Sequence, residues 1–511
     1  MHRSARLSVF LLLLLPTCAS PWSTLRDRAR QCPAQRGDCD LDASNGCEAD
    51  LRSNRQHCAA CGRAVPTVCL GGLGANVTHV STGPATSCAA LSSESRTQAY
   101  CWGANDRGQA GGEPSPWRLR PATIGLEFSE PIEQIAVGDG FACALAADSG
   151  RLQCWGDVPL NQDADAGLGI RGARGFALGA RHGCVALGQA AASPALVQCF
   201  GDNDRGQLGG PSTRAPLSSV SLPDNTPLAV SDFMGLSAGS GHTCAWSSRA
   251  VWCWGANESG QLGRRTLPGS LESGAAQVSF GRNVSRVLDL AAGAESTCVV
   301  VDSSESPDTD GGAMIEDASA DGAAFDAGDS ATRDAAVSDA GAESGAPRGC
   351  FEPIVGTGAV YCWGALLADA VAPSCALRIP TLVRLANGGP LLGASRVFVG
   401  AEHACAIVGP ERAVHCWGRS SAARMLGAVS NGPMTATEVS ALRGAVELAI
   451  TGAANSAPIG THAEAREAFC ARFESRRVAA QIQCWGPNDH GQLGDPARAH
   501  TTQEALGDVA W

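Results

Sequence analysis

The sequence predicts an all-β chain built from a repeated unit, and three observations carry that prediction. Seven pairs of cysteines recur at short separation: Cys88 with Cys101, Cys143 with Cys154, Cys184 with Cys199, Cys244 with Cys253, Cys298 with Cys362, Cys405 with Cys416 and Cys470 with Cys484. The second cysteine opens Cys-Trp-Gly at 101, 154, 253, 362, 416 and 484, and the third copy reads Cys199-Phe200-Gly201. Around each pair, apolar and polar residues alternate between clusters of Gly, Asn and Asp, the pattern of half-buried strands joined by tight turns. Successive second cysteines lie 53, 45, 54, 109, 54 and 68 residues apart, and repetition on that scale means a solenoid or a propeller.

At the start of the chain, Met1-His2-Arg3-Ser4-Ala5-Arg6 is basic and the apolar run from Leu7 to Leu15 is too short to span a bilayer. That is the pattern of an export signal over residues 1–20. Leu15-Pro16-Thr17-Cys18 resembles a bacterial lipobox, with Thr17 where Gly, Ala or Ser is preferred. Two processing routes fit: lipid attachment at Cys18, which is favoured, or ordinary cleavage near Cys18-Ala19-Ser20. Either way the expected location is extracytoplasmic, as an outer-membrane lipoprotein or a secreted protein. Cysteine parity agrees: of twenty-three cysteines, removing Cys18 leaves fourteen in the repeat pairs, six between Cys32 and Cys69, and Cys350 with Cys375. An even set in an exported chain reads as disulfides, here eleven.

Residues 31–70 form a cysteine-rich module with few large apolar side chains, so cross-links rather than a core must hold it. It resembles short modules beside the export signal in proteins of predatory soil bacteria. Asp40, Asp42, Asn45 and Gly46 have the spacing of a calcium loop, but Leu51 stands where the closing carboxylate is needed, and Asx turns are the expected role. Cys58-Ala59-Ala60-Cys61 lacks the second pair that a zinc ribbon requires. The connectivity of the six cysteines stays open.

The repeats occupy 76–511. Each unit opens with an apolar stretch ending in Gly, as in Gln134-Ile135-Ala136-Val137-Gly138, continues through Cys143-Ala144-Leu145 to a polar tip, and returns as Leu152-Gln153-Cys154-Trp155-Gly156. Three units close with Asn and Gly-Gln-Leu-Gly, at Asn203 to Gly209, Asn257 to Gly263 and Asn488 to Gly494. The paired cysteines sit on opposite arms of one hairpin at similar distances from its tip, where directly opposed side chains can be bridged. Closing such a loop stabilises by about 3 kcal/mol on the chain-entropy account. Tryptophan, one residue on, points to the opposite face and is expected between neighbouring units.

An acidic insert from 301 to 349 interrupts the fifth pair. Between Asp302 and Arg348 it holds twelve Asp and Glu against Arg333 and Arg348, which is −10 of the chain's −12 net charge. Rich in Asp, Ala, Gly and Ser, it is expected to be disordered. The acidic balance therefore describes the insert and not a folded surface, and no basic stripe suggests nucleic acid as a partner.

The text Cys101-Trp102-Gly103-Ala104-Asn105-Asp106-Arg107-Gly108-Gln109, with its copies at Trp254 to Gly263 and Trp485 to Gly494, resembles the regulator of chromosome condensation repeat. That resemblance implies a seven-bladed β-propeller of antiparallel four-stranded blades. The second, fifth and sixth units depart from the closing motif and are expected to carry irregular outer loops. The family's name comes from a nuclear exchange factor for a small GTPase, but no residue here maps onto an exchange surface. Exported bacterial members of the family, including a β-lactamase inhibitor, bind other proteins on one face.

No phosphate loop, zincin motif or nucleophile elbow is present. His182, His242 and His403 each stand two residues before a repeat cysteine, the mark of a shared structural role, and a cysteine in a disulfide is no nucleophile. No catalytic, cofactor or metal residues are expected. The sequence thus predicts a monomeric scaffold that binds a protein or glycan on a propeller face and meets the membrane only through a lipid at Cys18. The alternatives are an enzyme whose site is assembled from several blades near the axis and, more weakly, a regulator of a small GTPase.

Overall fold

The computed structural model describes residues 35–37, 39, 47, 49–51, 56–61, 68–70, 73–93, 97–126, 128–160, 169–188, 193–210, 217–264, 272–280, 284–303, 356–367, 380–418, 435–451, 467–474, 481–498 and 502–509. Cys18, Cys350, Cys375 and the acidic insert from residue 304 onward lie outside them. The chain divides into two compact units, residues 1–76 with 511, and 77–510.

In the first unit Arg36–Gly37 pairs antiparallel with Ala49–Asp50. Val68–Leu70 pairs with residues 73–75. Disulfides Cys39–Cys61 and Cys58–Cys69 resolve part of the connectivity that spacing leaves open.

The second unit is a propeller of seven antiparallel blades. Blade 1 contains the strand Leu73–Thr82 from Val77 on, Thr86–Ser92, Thr97–Asn105 and Ser115–Thr123. Blade 2 contains Ile132–Val137, Phe141–Ala146 and Leu152–Gly156. Blade 3 contains Ala173–Leu178, His182–Leu187 and Ala195–Gly201, with Ser218–Ser219 and Ala229–Val230 at its outer edge. Blade 4 contains Phe233–Ala238, His242–Ser247, Val251–Gly255 and Glu272–Gln277; blade 5 contains Val284–Ala292, Ser296–Ser303, Gly356–Gly364 and Thr381–Leu382. Blade 6 contains Ala394–Val399, His403–Val408, Ala413–Gly418 and Thr435–Glu438; blade 7 contains Ala445–Ile450, Phe469–Phe473, Ile482–Pro487 and Thr502–Asp508.

Three details differ from the sequence expectation. Blade 2 has three strands among the described residues, where four were expected. Blade 3 splits its outer edge in two around the turn at Leu222 to Asn225. In blade 5, Val299 to Val301 stay paired with Ala359 to Tyr361 and Ser303 meets Gly356, so the insertion at the hairpin tip spans 304–355.

In every blade the two repeat cysteines are register partners on adjacent antiparallel strands. Their Cα atoms lie 4.0–4.2 Å apart, and each pair is a disulfide. Such short separations belong to non-hydrogen-bonded antiparallel positions.

Period-two alternation then sets the core. Cys244 and Cys253 pack towards blade 5, whereas Trp254 of the same strand packs towards blade 3. Each described core cluster draws on two successive blades, so the apolar interior is distributed over the seams.

The asparagine motif makes those seams specific. Asn257 accepts the Leu262 N–H on Oδ1 at 2.9 Å, and Gln261 folds back to accept the Ser259 N–H at 2.9 Å. The loop so clamped presents the Gln261 carbonyl to the next blade, where the buried Trp363 indole N–H donates to it at 2.8 Å. The same clasp joins Trp155 to Gln109 at 2.9 Å and Trp254 to Gln207 at 3.0 Å. Trp102 to Gln492 at 2.8 Å closes the ring between blades 7 and 1. Where blade 2 lacks the motif, the next blade carries Phe200, which has no N–H to satisfy.

Replacing Trp363 should separate the two parts of this contact. Trp363→Phe leaves the Gln261 carbonyl a second donor, the Thr297 hydroxyl at 2.9 Å, and is expected to cost about 1 kcal/mol. Trp363→Ala opens a seam cavity and is expected to cost about 3–5 kcal/mol. Equilibrium denaturation with disulfides intact measures both; equal losses would mean that the hydrogen bond dominates.

Candidate functional site

Because the second strand of each blade starts opposite the end of the third, as His182 does opposite Gly201, the turns between first and second strands share one face with the loops after the third. The hairpin tips lie on the other face. The first face is the one that the asparagine loops build.

Near the axis the inner-strand ends converge on glycine. A Cβ on Gly239 would collide with the Gly293 carbonyl oxygen, and one on Gly293 with that of Gly400. The axial cavity beneath measures about 130 Å³. It is lined mainly by small apolar groups such as Ala136, Val137, Ala238 and Val399, with Ser81 and Thr82. Among the described residues no three His, Cys, Asp or Glu side chains are grouped to hold a metal.

The three aligned histidines bridge seams. His182 Nε2 lies 2.8 Å from Thr243 Oγ1 of the next blade. His242 Nε2 lies 2.9 Å from Thr297 Oγ1, whose proton is committed to the Gln261 carbonyl. The Thr297 oxygen can then only accept, which holds His242 as the Nε2–H tautomer. Burial pushes the His182 imidazole down to about 4, and burial with the neighbouring His182 pushes His242 down to about 3. His403 instead faces the buried Glu467 carboxylate through Nδ1, and Glu467 also accepts the Glu402 backbone N–H at 2.6 Å.

On the loop face, blades 1 to 3 carry a ladder of alternating charge. Arg107 lies 3.9 Å from Asp139 and 4.0 Å from Asp157, Asp157 lies 3.0 Å from Arg181, and Arg181 lies 3.9 Å from Asp202. The Asp157 side chain is 51% exposed and that of Asp202 49%. Partial burial raises the Asp202 carboxyl against the opposing pull of Arg181, with Asp204 and Asp157 adding to the rise. Trp117, 45% exposed, pairs with Ala104 beside Asn105, at the loop end of blade 1.

Of the residues singled out in the sequence, the fourteen repeat cysteines are placed inside their blades as disulfides. Of the ladder residues only Arg107 stands in the repeat text, and nothing there marks its partners Asp139 and Asp157, which belong to blade 2.

A family model of the regulator of chromosome condensation (RCC1) repeat matches residues 250–300, and a second model of that repeat matches 132–159. No curated protein matches the sequence. Among solved structures, human WBSCR16 is 14% identical, with 73% of this chain and 84% of that chain covered and a TM-score of 0.50. Prp20p from Saccharomyces cerevisiae, described with its binding properties to Gsp1p and histones, is 16% identical over 79% of this chain and 86% of that one, with a TM-score of 0.49. The ectodomain of the Arabidopsis thaliana receptor kinase ACR4 is 18% identical over 80% and 93%, with a TM-score of 0.37.

The histidine seams predict an acid response. Both imidazoles titrate lower in the fold than in the unfolded chain, whose value is near 6.5. Below that pH the unfolded state binds more protons, so stability falls by about 1.4 kcal/mol per pH unit for each histidine. The decline continues to about 4 for His182 and about 3 for His242. Thermal melts between pH 7 and 4 check this; the slope should be shallower in His182→Asn/His242→Asn, and an unchanged slope would assign acid loss elsewhere.

Proposed function

From a chain that carries RCC1 repeats in a seven-bladed ring, we infer a binding scaffold whose working surface is the asparagine-loop face of blades 1 to 3. The observation that carries this reading is the ladder Arg107–Asp157–Arg181–Asp202. Exposed ion pairs of this kind stabilise a fold by about 0–1 kcal/mol each, so a row of them across two seams contributes little to folding. What the row supplies is an alternating electrostatic template, with Trp117 at the loop end of the first blade. Arg and Trp are the side chains most often found as energetic anchors of interfaces. A protein surface with interleaved charge fits that template, and its encounter would weaken with salt.

The setting is extracytoplasmic. Among the described residues nine cysteine pairs are disulfides, which persist in oxidising compartments. Cys18 is the proposed lipid attachment residue, on the strength of Leu15-Pro16-Thr17-Cys18. The mass of the mature N-terminal peptide tests it: a diacylglyceryl-modified Cys18 supports an anchor, and an unmodified start beyond it removes the anchor.

Affinity capture from the native envelope tests the surface. Arg107→Ala/Arg181→Ala is expected to lower retention of the captured protein about tenfold or more while leaving the melting temperature within a few degrees. Trp117→Ala should add to the loss. Undiminished retention by the triple variant would move the binding surface elsewhere.

A further inference from the structure

The seven blade disulfides are not equally covered. In six blades the second cysteine is flanked by a register partner on the outer strand: Ala122 beside Cys101, Ser218 beside Cys199, Ala276 beside Cys253, Thr381 beside Cys362, Thr437 beside Cys416 and Gly507 beside Cys484. Cys154 has no such partner among the described residues, and its strand, Leu152–Gly156, is the outermost described strand of blade 2. The other thirteen repeat cysteines are buried, none more than 6% exposed, whereas Cys154 is part-exposed.

Thiol–disulfide exchange needs an incoming thiolate in line with the S–S bond, so access to one sulfur decides which bridge reacts. We propose that Cys143–Cys154 is a thiol–disulfide exchange site for an external dithiol reductant, while the other six blade disulfides are inert in the folded ring. The reductant's thiolate attacks Sγ of Cys154, the Cys143–Cys154 bond breaks, and its electron pair leaves on Sγ of the buried Cys143, which takes up a proton. The resulting mixed disulfide joins the reductant to Cys154. The reductant's second thiolate attacks its own sulfur in that bridge and releases Cys154, which is protonated in turn. Two electrons have passed to the blade and the dithiol has become a disulfide.

The position gives the exchange a consequence for the loop face. Asp157, three residues after Cys154, is the ladder residue within reach of both Arg107 and Arg181. After reduction, the strand leading to Asp157 keeps the Trp155 clasp to Gln109 and its pairing with Phe141–Ala146, but loses its covalent tie. Reduction is therefore expected to loosen residues 152–157 and to weaken capture at the ladder. That second effect rests on the binding surface proposed above; the exchange itself does not.

The test uses the full natural chain under native conditions. It is exposed to dithiothreitol for increasing times, quenched with an alkylating agent and digested, with tryptophan fluorescence followed in parallel. Cys143 and Cys154 are expected to be labelled about tenfold or more faster than any other repeat cysteine, while the fluorescence holds. Labelling of another repeat pair first, or of all repeat pairs together as fluorescence collapses, would overturn the proposal. Hydrogen exchange of residues 152–157 and envelope capture are then compared between the oxidised and singly reduced protein. Selective labelling with unchanged capture would sink the link to the ladder and leave the exchange site standing.

Discussion

The ring depends on one contact, a tryptophan indole from one blade laid against the clamped asparagine loop of the blade before it. A single repeat unit cannot bury its hydrophobic face alone; stacked neighbours bury a continuous core. Stability must come from the seams, and a seam that buries an indole must also satisfy its N–H. The order of dependence runs from the Asn257 side chain, which fixes the loop, to the Gln261 carbonyl that the fixed loop presents, to the Trp363 N–H that this carbonyl accepts. Phe200 follows the same logic in reverse, since an apolar ring suits a seam that offers no glutamine carbonyl. The seams ahead of blades 6 and 7 solve it differently. Trp417 and Trp485 have no indole partner among the described residues, and charged links cross those seams instead: Asp289 accepts the Val397 N–H at 2.9 Å, and His403 faces Glu467.

Disulfides and tryptophans divide the work by direction. Each bridge ties two strands within a blade and restricts the unfolded chain there, whereas each tryptophan acts only once two blades meet. Neighbouring positions of one strand perform both tasks because a strand turns successive side chains to opposite faces. This division leaves blade 2, with three strands among the described residues, its place in the ring: Trp155 clasps Gln109, and Cys154 is part-exposed.

The functional reading follows from what the seams leave free. Glycine at the inner strand ends brings the blades so close that the axis retains only a small cavity, and the histidines nearby are committed to the next blade. Exposed chemistry is displaced outward onto the loop face, where the first three blades set five acidic residues, Asp106, Asp139, Asp157, Asp202 and Asp204, among Arg107, Arg181 and Arg205. The proposed binding role rests on that face, whose charge would make an encounter sensitive to ionic strength.

The hairpins, the opposition of each cysteine pair and the placing of tryptophan on the far side of its strand were all legible in the sequence. They are short-range consequences of strand period and turn chemistry, repeated often enough to average out irregular copies. The ladder was not legible, nor were the histidine bridges. Arg181 and Asp157 are 24 residues apart, and His242 and Thr297 are 55 apart; nothing local to either member of a pair marks the other. Ring curvature and turn length bring them together, and these depend on how closely glycine lets one blade approach the next. The uneven cover of the disulfides has the same origin. All seven pairs read alike as text, and only the packed ring, with an outer strand beside six second cysteines and none described beside Cys154, makes one of them different.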